Sequence, residues 1–220
     1  MLHFVYPQLC VACNRALIEQ EKSLCLECAN NLPLTKYHHI PDNETAQRFA
    51  GRIRFEHASS FAYFTKDGKH IIYASTHLGS DDCPPVPDRS KYGNKYIWPL
   101  YSSYDIFMAD LDGKIVKQLT NSKQYDAEAT LSPDGKKMIY TSTKDGDIEL
   151  YIMDLKTGAE KRITNTLGYD GGAWFSPDGT KIIWRASRPK TEAEVKEYKD
   201  LLAENLVAPT NMEVYTANVD

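Results

Sequence analysis

What this chain lacks narrows its chemistry before any motif is read. It has no apolar run near the ~20 residues of a membrane-crossing helix. Its first residues, Met1-Leu2-His3-Phe4-Val5-Tyr6-Pro7, carry no basic segment, and Pro7 cuts the short apolar run, so they do not form a secretory signal. As written, the chain is expected in the cytoplasm. Neither sign of charge dominates: the formal net charge is −4, which makes no electrostatic case for nucleic acid or an anionic membrane surface. Gly-x-Ser-x-Gly, His-Glu-x-x-His and a phosphate-cradling glycine loop are all missing, which argues against three common kinds of catalytic centre. His38-His39 is adjacent rather than spaced for one metal and reads as solvated loop. Cysteine is sparse too, with 5 in 220 residues, but four of them are grouped.

What is present is a repeat. Leu119-Thr120-Asn121 returns as Ile163-Thr164-Asn165, Tyr125-Asp126 as Tyr169-Asp170, and Ser132-Pro133-Asp134-Gly135 as Ser176-Pro177-Asp178-Gly179, each 44 residues on. Met108-Ala109-Asp110-Leu111 likewise matches Ile152-Met153-Asp154-Leu155. One unit reads as four strands of declining hydrophobicity: Glu128 to Leu131, Lys137 to Ser142, Glu149 to Asp154 and Glu160 to Thr164. Ser-Pro-Asp-Gly forms the first turn, because proline presets φ and glycine takes the tight exit. Leu150-Tyr151-Ile152-Met153 is apolar on both faces, as a sheet sandwiched between two others requires. A period in the low forties with this content marks a β-propeller blade.

Residues 66–220 resemble the propeller repeats of the TolB family, on Tyr140-Thr141-Ser142, Glu149-Leu150-Tyr151-Ile152-Met153-Asp154, Gly168-Tyr169-Asp170-Gly171-Gly172 and the two Ser-Pro-Asp-Gly turns. The resemblance implies a non-catalytic, protein-binding propeller of the bacterial envelope, with periplasmic relatives, or the propeller of a larger protein. His70 to Thr76 aligns with Lys137 to Thr143, so the first blade opens there. Between it and the strand at Asp105 to Asp110 lies an insertion at 77–103, rich in Tyr92, Tyr96, Trp98 and Tyr101. Its Cys83 reads as an idle thiol. Val116 to Thr120 is the edge of that blade. The third blade carries a second insertion at 188–211, whose Thr191-Glu192-Ala193-Glu194 is a capping box for an amphipathic helix. Both insertions are expected to pack on the blades, with partner binding the competing role. Met212 to Val219 returns as a third strand.

The first 65 residues have another character. Cys10-Val11-Ala12-Cys13 and Cys25-Leu26-Glu27-Cys28 place two CxxC knuckles eleven residues apart, suited to four thiolates around one structural zinc. Asn43 and Gly51 bound a short helix, and Ala58 to Phe64 is an apolar, aromatic strand. With Leu32-Pro33, Phe49-Ala50-Gly51-Arg52 and Phe64-Thr65-Lys66-Asp67-Gly68, this stretch resembles the N-terminus of ComF-family proteins. That resemblance implies a zinc ribbon ahead of a phosphoribosyltransferase-like domain linked to DNA uptake. The diagnostic phosphate loop of such a domain is missing, since Asp81-Asp82 is followed by Cys83-Pro84-Pro85. Phe64 to Lys69 satisfies both families at once, which points to a fusion or chimera.

The expected fold is therefore mainly β: an incomplete β-propeller of four-stranded antiparallel blades, about two and a half of them, preceded by a small zinc-ribbon module with a short helix. The expected function is a non-catalytic, protein-binding propeller fragment with a zinc-ribbon head. The alternative is a ComF-like phosphoribosyltransferase relative whose catalytic part is lost. For Asp126, Glu128 and Asp170, on or beside the innermost strands, two readings stay open: a channel lining for a cation or peptide, or fixtures of strand ends and turns.

Overall fold

The structure is a computed structural model. It describes residues 62–80 and 82–219. The ribbon cysteines Cys10, Cys13, Cys25 and Cys28 and the 43–51 helix lie outside the described residues.

Three antiparallel sheets follow one another along the chain. The first holds β1 (Ala62–Phe64), β2 (His70–Ser75), β4 (Asp105–Asp110) and β5 (Ile115–Gln118), in that spatial order. Between β2 and β4 the insertion forms a 3-10 turn at Arg89–Tyr92 and a short strand, β3 (Trp98–Pro99). The second sheet is β6 (Asp126–Leu131), β7 (Lys137–Ser142), β8 (Glu149–Asp154) and β9 (Glu160–Arg162). The third has three strands: β10 (Tyr169–Phe175), β11 (Lys181–Ser187) and, after helix α1 (Glu192–Ala203) and β12 (Leu206–Val207), β13 (Glu213–Asn218). No sheet closes on another into a ring among the described residues.

Each element follows from local chemistry. In the turn after β6, the Ser132 hydroxyl accepts from the Lys137 amide at 2.9 Å and donates to Asp134 Oδ1 at 2.6 Å, while Gly135 takes φ 74°. The same turn recurs at Ser176 with Gly179 at φ 73°. Three hydrogen bonds, from the Ser176 and Thr180 hydroxyls and the Thr180 amide, hold the Asp178 carboxyl down at about 2. The strand the sequence places at Ala58 to Phe64 ends as β1, where Phe64 pairs with Ile71 across the hairpin. The outer strands stop short of the expected Thr120 and Thr164. Their hydroxyls leave the ladder and accept the amides of Ile106 and Leu150, both at 2.9 Å.

The core lies between the sheets. Ile72, Ala74 and Ile106 of the first sheet pack on Ala129, Met138, Tyr140 and Tyr151 of the second. The other face of the second sheet, with Ile139, Leu150 and Ile152, packs on Ala173, Ile182, Trp184 and Ala186 of the third. Burial on both faces is why β8 reads as a continuous apolar run.

The insertions interrupt the same connection, between the second and third strands of the first and third sheets. They meet in space. Leu206 of β12 pairs with Pro99 of β3, and Val207 with Trp98. Helix α1 starts with the expected capping box, in which Thr191 Oγ1 accepts from the Glu194 amide. It buries Tyr198 and Leu201 against Leu100, Val207, Ile97 and Leu206. Tyr198 also donates to Asp147 Oδ1 of the second sheet's connection at 2.5 Å, and Lys95 pairs with Glu197. The two insertions thus form one small cap over the second sheet's equivalent turn.

Candidate functional site

The repeat places an acid at the start of each third strand. The registers of β2 with β4, β7 with β8 and β11 with β13 make Asp105, Glu149 and Glu213 equivalent, opposite Ser75, Ser142 and Ala186. A second acid opens each innermost strand after the first, as Asp126 and Asp170. At each junction between sheets one acid of each kind comes close to the other, and burial and mutual repulsion raise the pKa of Asp105 and of Glu149.

The two junctions are neutralised differently. At the second, Arg162 donates to Glu149 at 2.6 Å, and Arg188 donates to Asp170 at 2.6 Å. Trp184 Nε1 donates to the same Asp170 oxygen at 2.6 Å. At the first junction Gln118 stands in place of Arg162, donating to Asp105 at 3.0 Å. Lys144, equivalent to Arg188, turns instead to Glu160 at 2.5 Å and to the Tyr140 hydroxyl at 2.9 Å. Asp126, 1% exposed, is held by hydroxyls instead, Ser122 at 2.8 Å with Ser142 and Thr120 also hydrogen-bonding to it, and Asp126 and Asp170 each keep one oxygen without a partner. Burial raises the pKa of both Asp126 and Asp170. For Asp170 the contacts with Arg188 and Trp184 oppose that rise, and we read Asp170 as the ionised partner of a real ion pair.

Glu128 is a different kind of residue. It sits at a register shift in the β6–β7 pairing, with φ 56°, a left-handed conformation that costs a side-chain-bearing residue roughly 1 kcal/mol or more. Its equivalent 44 residues on is Gly172, at φ 62° in the matching shift of β10. Glu128 Oε2 accepts the Gly172 amide at 2.8 Å, the Tyr169 hydroxyl at 3.1 Å and the Thr141 hydroxyl at 3.1 Å. The side chain straps one innermost strand to the next.

Of the three acids read from the sequence, Asp126 and Asp170 thus serve the junctions and Glu128 the strap; they do not converge on one point. Among the described residues no group of three or more His, Cys, Asp or Glu side chains is gathered that could hold a metal ion. Nor is any helix among them long and apolar enough to cross a membrane.

Sequence reasoning missed an open apolar face on the third sheet. Ile183 is 44% exposed and Trp174 48%, whereas their equivalents in the second sheet, Ile139 and Thr130, are 0% and 5%. Val214, 67% exposed, matches Leu150 at 0%. The second sheet's positions are covered by the third sheet. Among the described residues no further sheet covers the third sheet's. Trp174 also meets Tyr63 of β1 edge-to-face, with ring centroids 5.6 Å apart, so the innermost strands of the first and third sheets carry a shared aromatic pair. The 44-residue repeat could have flagged this face, by setting Ile183 against Ile139.

Successive four-stranded sheets stacked face to face, with repeated inter-sheet contacts, define a segment of a β-propeller. Residues 100–199 match the TolB beta propeller domain family. No curated protein matches the chain. Among solved structures, TolB from Acinetobacter baumannii is 23% identical over 64% of this chain, with a TM-score of 0.46. A TolB-like protein from Agrobacterium tumefaciens is 19% identical over 61%, at 0.42. Acylaminoacyl peptidase from Pyrococcus horikoshii is 19% identical over 60%, at 0.38. The chain spans 29% of the first of these structures, 42% of the second and 18% of the third.

Proposed function

We propose that this chain is a non-catalytic protein-binding module, and that its partner docks on the open face of the third sheet. The observation that carries the reading is the contrast between equivalent positions: Ile139 is fully covered and Ile183 is open. Apolar sheet faces in solution are normally covered, and an uncovered one marks an interaction surface. The partner would lay an apolar surface against Trp174, Ile183 and Val214. In the same reading the N-terminal cysteines Cys10, Cys13, Cys25 and Cys28 hold one structural zinc, four thiolates closing the site to chemistry.

The test is site-specific photocrosslinking. A photoreactive residue replacing Ile183 or Trp174 in the full chain should yield one discrete crosslinked species in cells. The same residue at Lys161, on the exposed outer strand β9, should not. No product at 183 and 174, or the same products at all three positions, overturns the reading.

A further inference from the structure

The junction between the first and second sheets carries two carboxylates, and among the described residues no side-chain cation bonds to either. Asp105 opens β4 and Asp126 opens β6. The Asp126 amide donates to the Tyr104 carbonyl at 3.1 Å, so the two acids leave adjoining backbone. They are close enough that the charge of Asp126 repels that of Asp105, and the Thr120 hydroxyl hydrogen-bonds to both. One small hydroxyl within reach of both carboxylates gathers them around a single spot. Asp126 is 1% exposed and its Oδ1 has no hydrogen-bond partner; Asp105 Oδ1 is buried and has none either. Two buried anionic oxygens without partners are costly unless a positive charge joins them.

The repeat shows what such a pair takes. At the second junction Arg162 donates to Glu149 and Arg188 to Asp170, both at 2.6 Å, two guanidiniums for two carboxylates. Glu149 and Asp170 also keep one unpartnered oxygen each, so charge is what separates the two junctions. At the first, Gln118 replaces Arg162, and its amide brings no charge to Asp105. Lys144 lies near enough to favour the Asp126 charge weakly, but it is pinned elsewhere. Its Nζ donates to Glu160 at 2.5 Å and to the Tyr140 hydroxyl at 2.9 Å, and stands 4.0 Å from the centre of the Tyr151 ring. Both sheets at this junction have all four strands, so the missing charge belongs to the junction itself.

We propose that the first junction binds a divalent, oxygen-seeking cation between Asp105 and Asp126. Its charge balances the two carboxylates. The donors at hand are the two Oδ1 atoms and the hydroxyls of Thr120, Ser122 and Ser142, an all-oxygen set of the kind that hard divalent ions take. With only two acids, the site relies on hydroxyls as much as on carboxylates. The ion would clamp the first sheet to the second, as Arg162 and Arg188 clamp the second junction. It is a site apart from the N-terminal cysteines and from the open face of the third sheet.

The test is terbium luminescence on the full chain, in buffer freed of divalent ions by a chelating resin. Terbium takes oxygen donors in preference to thiolates, and Tyr104 and Tyr125, each next to one of the acids, sensitise its emission. Titration should show one saturable site from which calcium displaces terbium. Gln118→Arg keeps both acids and supplies the guanidinium found at the second junction. It should weaken terbium binding about tenfold or more, through one added positive charge at the site. Asp126→Asn should abolish binding, and Asp178→Asn, in an exposed turn, should leave it unchanged. In calcium-free buffer Asp126→Asn should be at least as stable as the native chain; added calcium should raise the melting temperature of the native chain alone. Emission that does not saturate, or that Gln118→Arg leaves unchanged, overturns the proposal, and so does a native melting temperature indifferent to calcium. The two acids would then share a proton instead of a metal ion. Because Gln118→Arg removes no acid, it decides the matter even where Asp126→Asn fails to fold.

Discussion

The two sheet junctions offer a matched pair of buried carboxylates. Asp126 and Asp170 occupy equivalent positions and are 1% and 0% exposed. Asp170 has a guanidinium at 2.6 Å, whereas Asp126 is held by hydroxyls, that of Ser122 at 2.8 Å among them. Replacing one partner of a buried ion pair strands the other charge and costs roughly 3–5 kcal/mol in fully buried cases. Arg188 keeps 18% of its side-chain surface exposed, so Asp170→Asn should cost about 2–3 kcal/mol. Asp126→Asn removes an unpaired buried charge while keeping the side chain's shape. It should be neutral or stabilising by about 1 kcal/mol at pH 7.

The pH dependence carries the sign. Burial raises Asp126 above its ordinary 3.8. Its contribution to stability is therefore fully present below that value and is lost as pH rises through the folded-state pKa. The native chain and Asp126→Asn should converge in acid and separate near neutrality, with the variant the more stable. Urea unfolding of both variants at pH 7, and at acid pH where the fold persists, reads out both effects. Equal losses for Asp126→Asn and Asp170→Asn at pH 7 would refute the claim that the cations of the repeat decide the energetics of the junctions.

Two further outcomes follow from the geometry. Glu128→Ala keeps the left-handed φ of 56° and loses the strap to Gly172, Tyr169 and Thr141, whereas Glu128→Gly loses the strap but relieves the backbone. Chemical denaturation should show both destabilised, the alanine variant by about 1 kcal/mol more, and the reverse order would count against backbone strain at this bulge. For the four N-terminal cysteines, metal analysis of the purified full chain should find one zinc per chain, lost on Cys10→Ser with Cys13→Ser. Metal content unchanged by that double substitution would remove the zinc reading.

The sequence by itself determined the strands, the turns and their period. These rest on short-range chemistry: proline and glycine at set positions in Ser-Pro-Asp-Gly, branched and aromatic residues from Lys137 to Ser142, and a threonine–glutamate box ahead of α1. Strand ends were less legible. Thr120 and Thr164 look like strand residues until their hydroxyls are seen to take the amides of Ile106 and Leu150, 14 positions away. The three acids were legible as candidates, but their roles were not. Whether Asp126 or Asp170 has a cation depends on which way Lys144 and Arg188 turn, and Glu128 owes its strap to a bulge that flips its backbone toward the next sheet. The pairing of β3 with β12 joins segments more than 100 residues apart and has no local signature. The open face is a tertiary fact of the same kind. Ile139 and Ile183 read alike in the chain, and only the packing of one sheet on the next, present for the first and absent for the second among the described residues, makes one a core residue and leaves the other exposed.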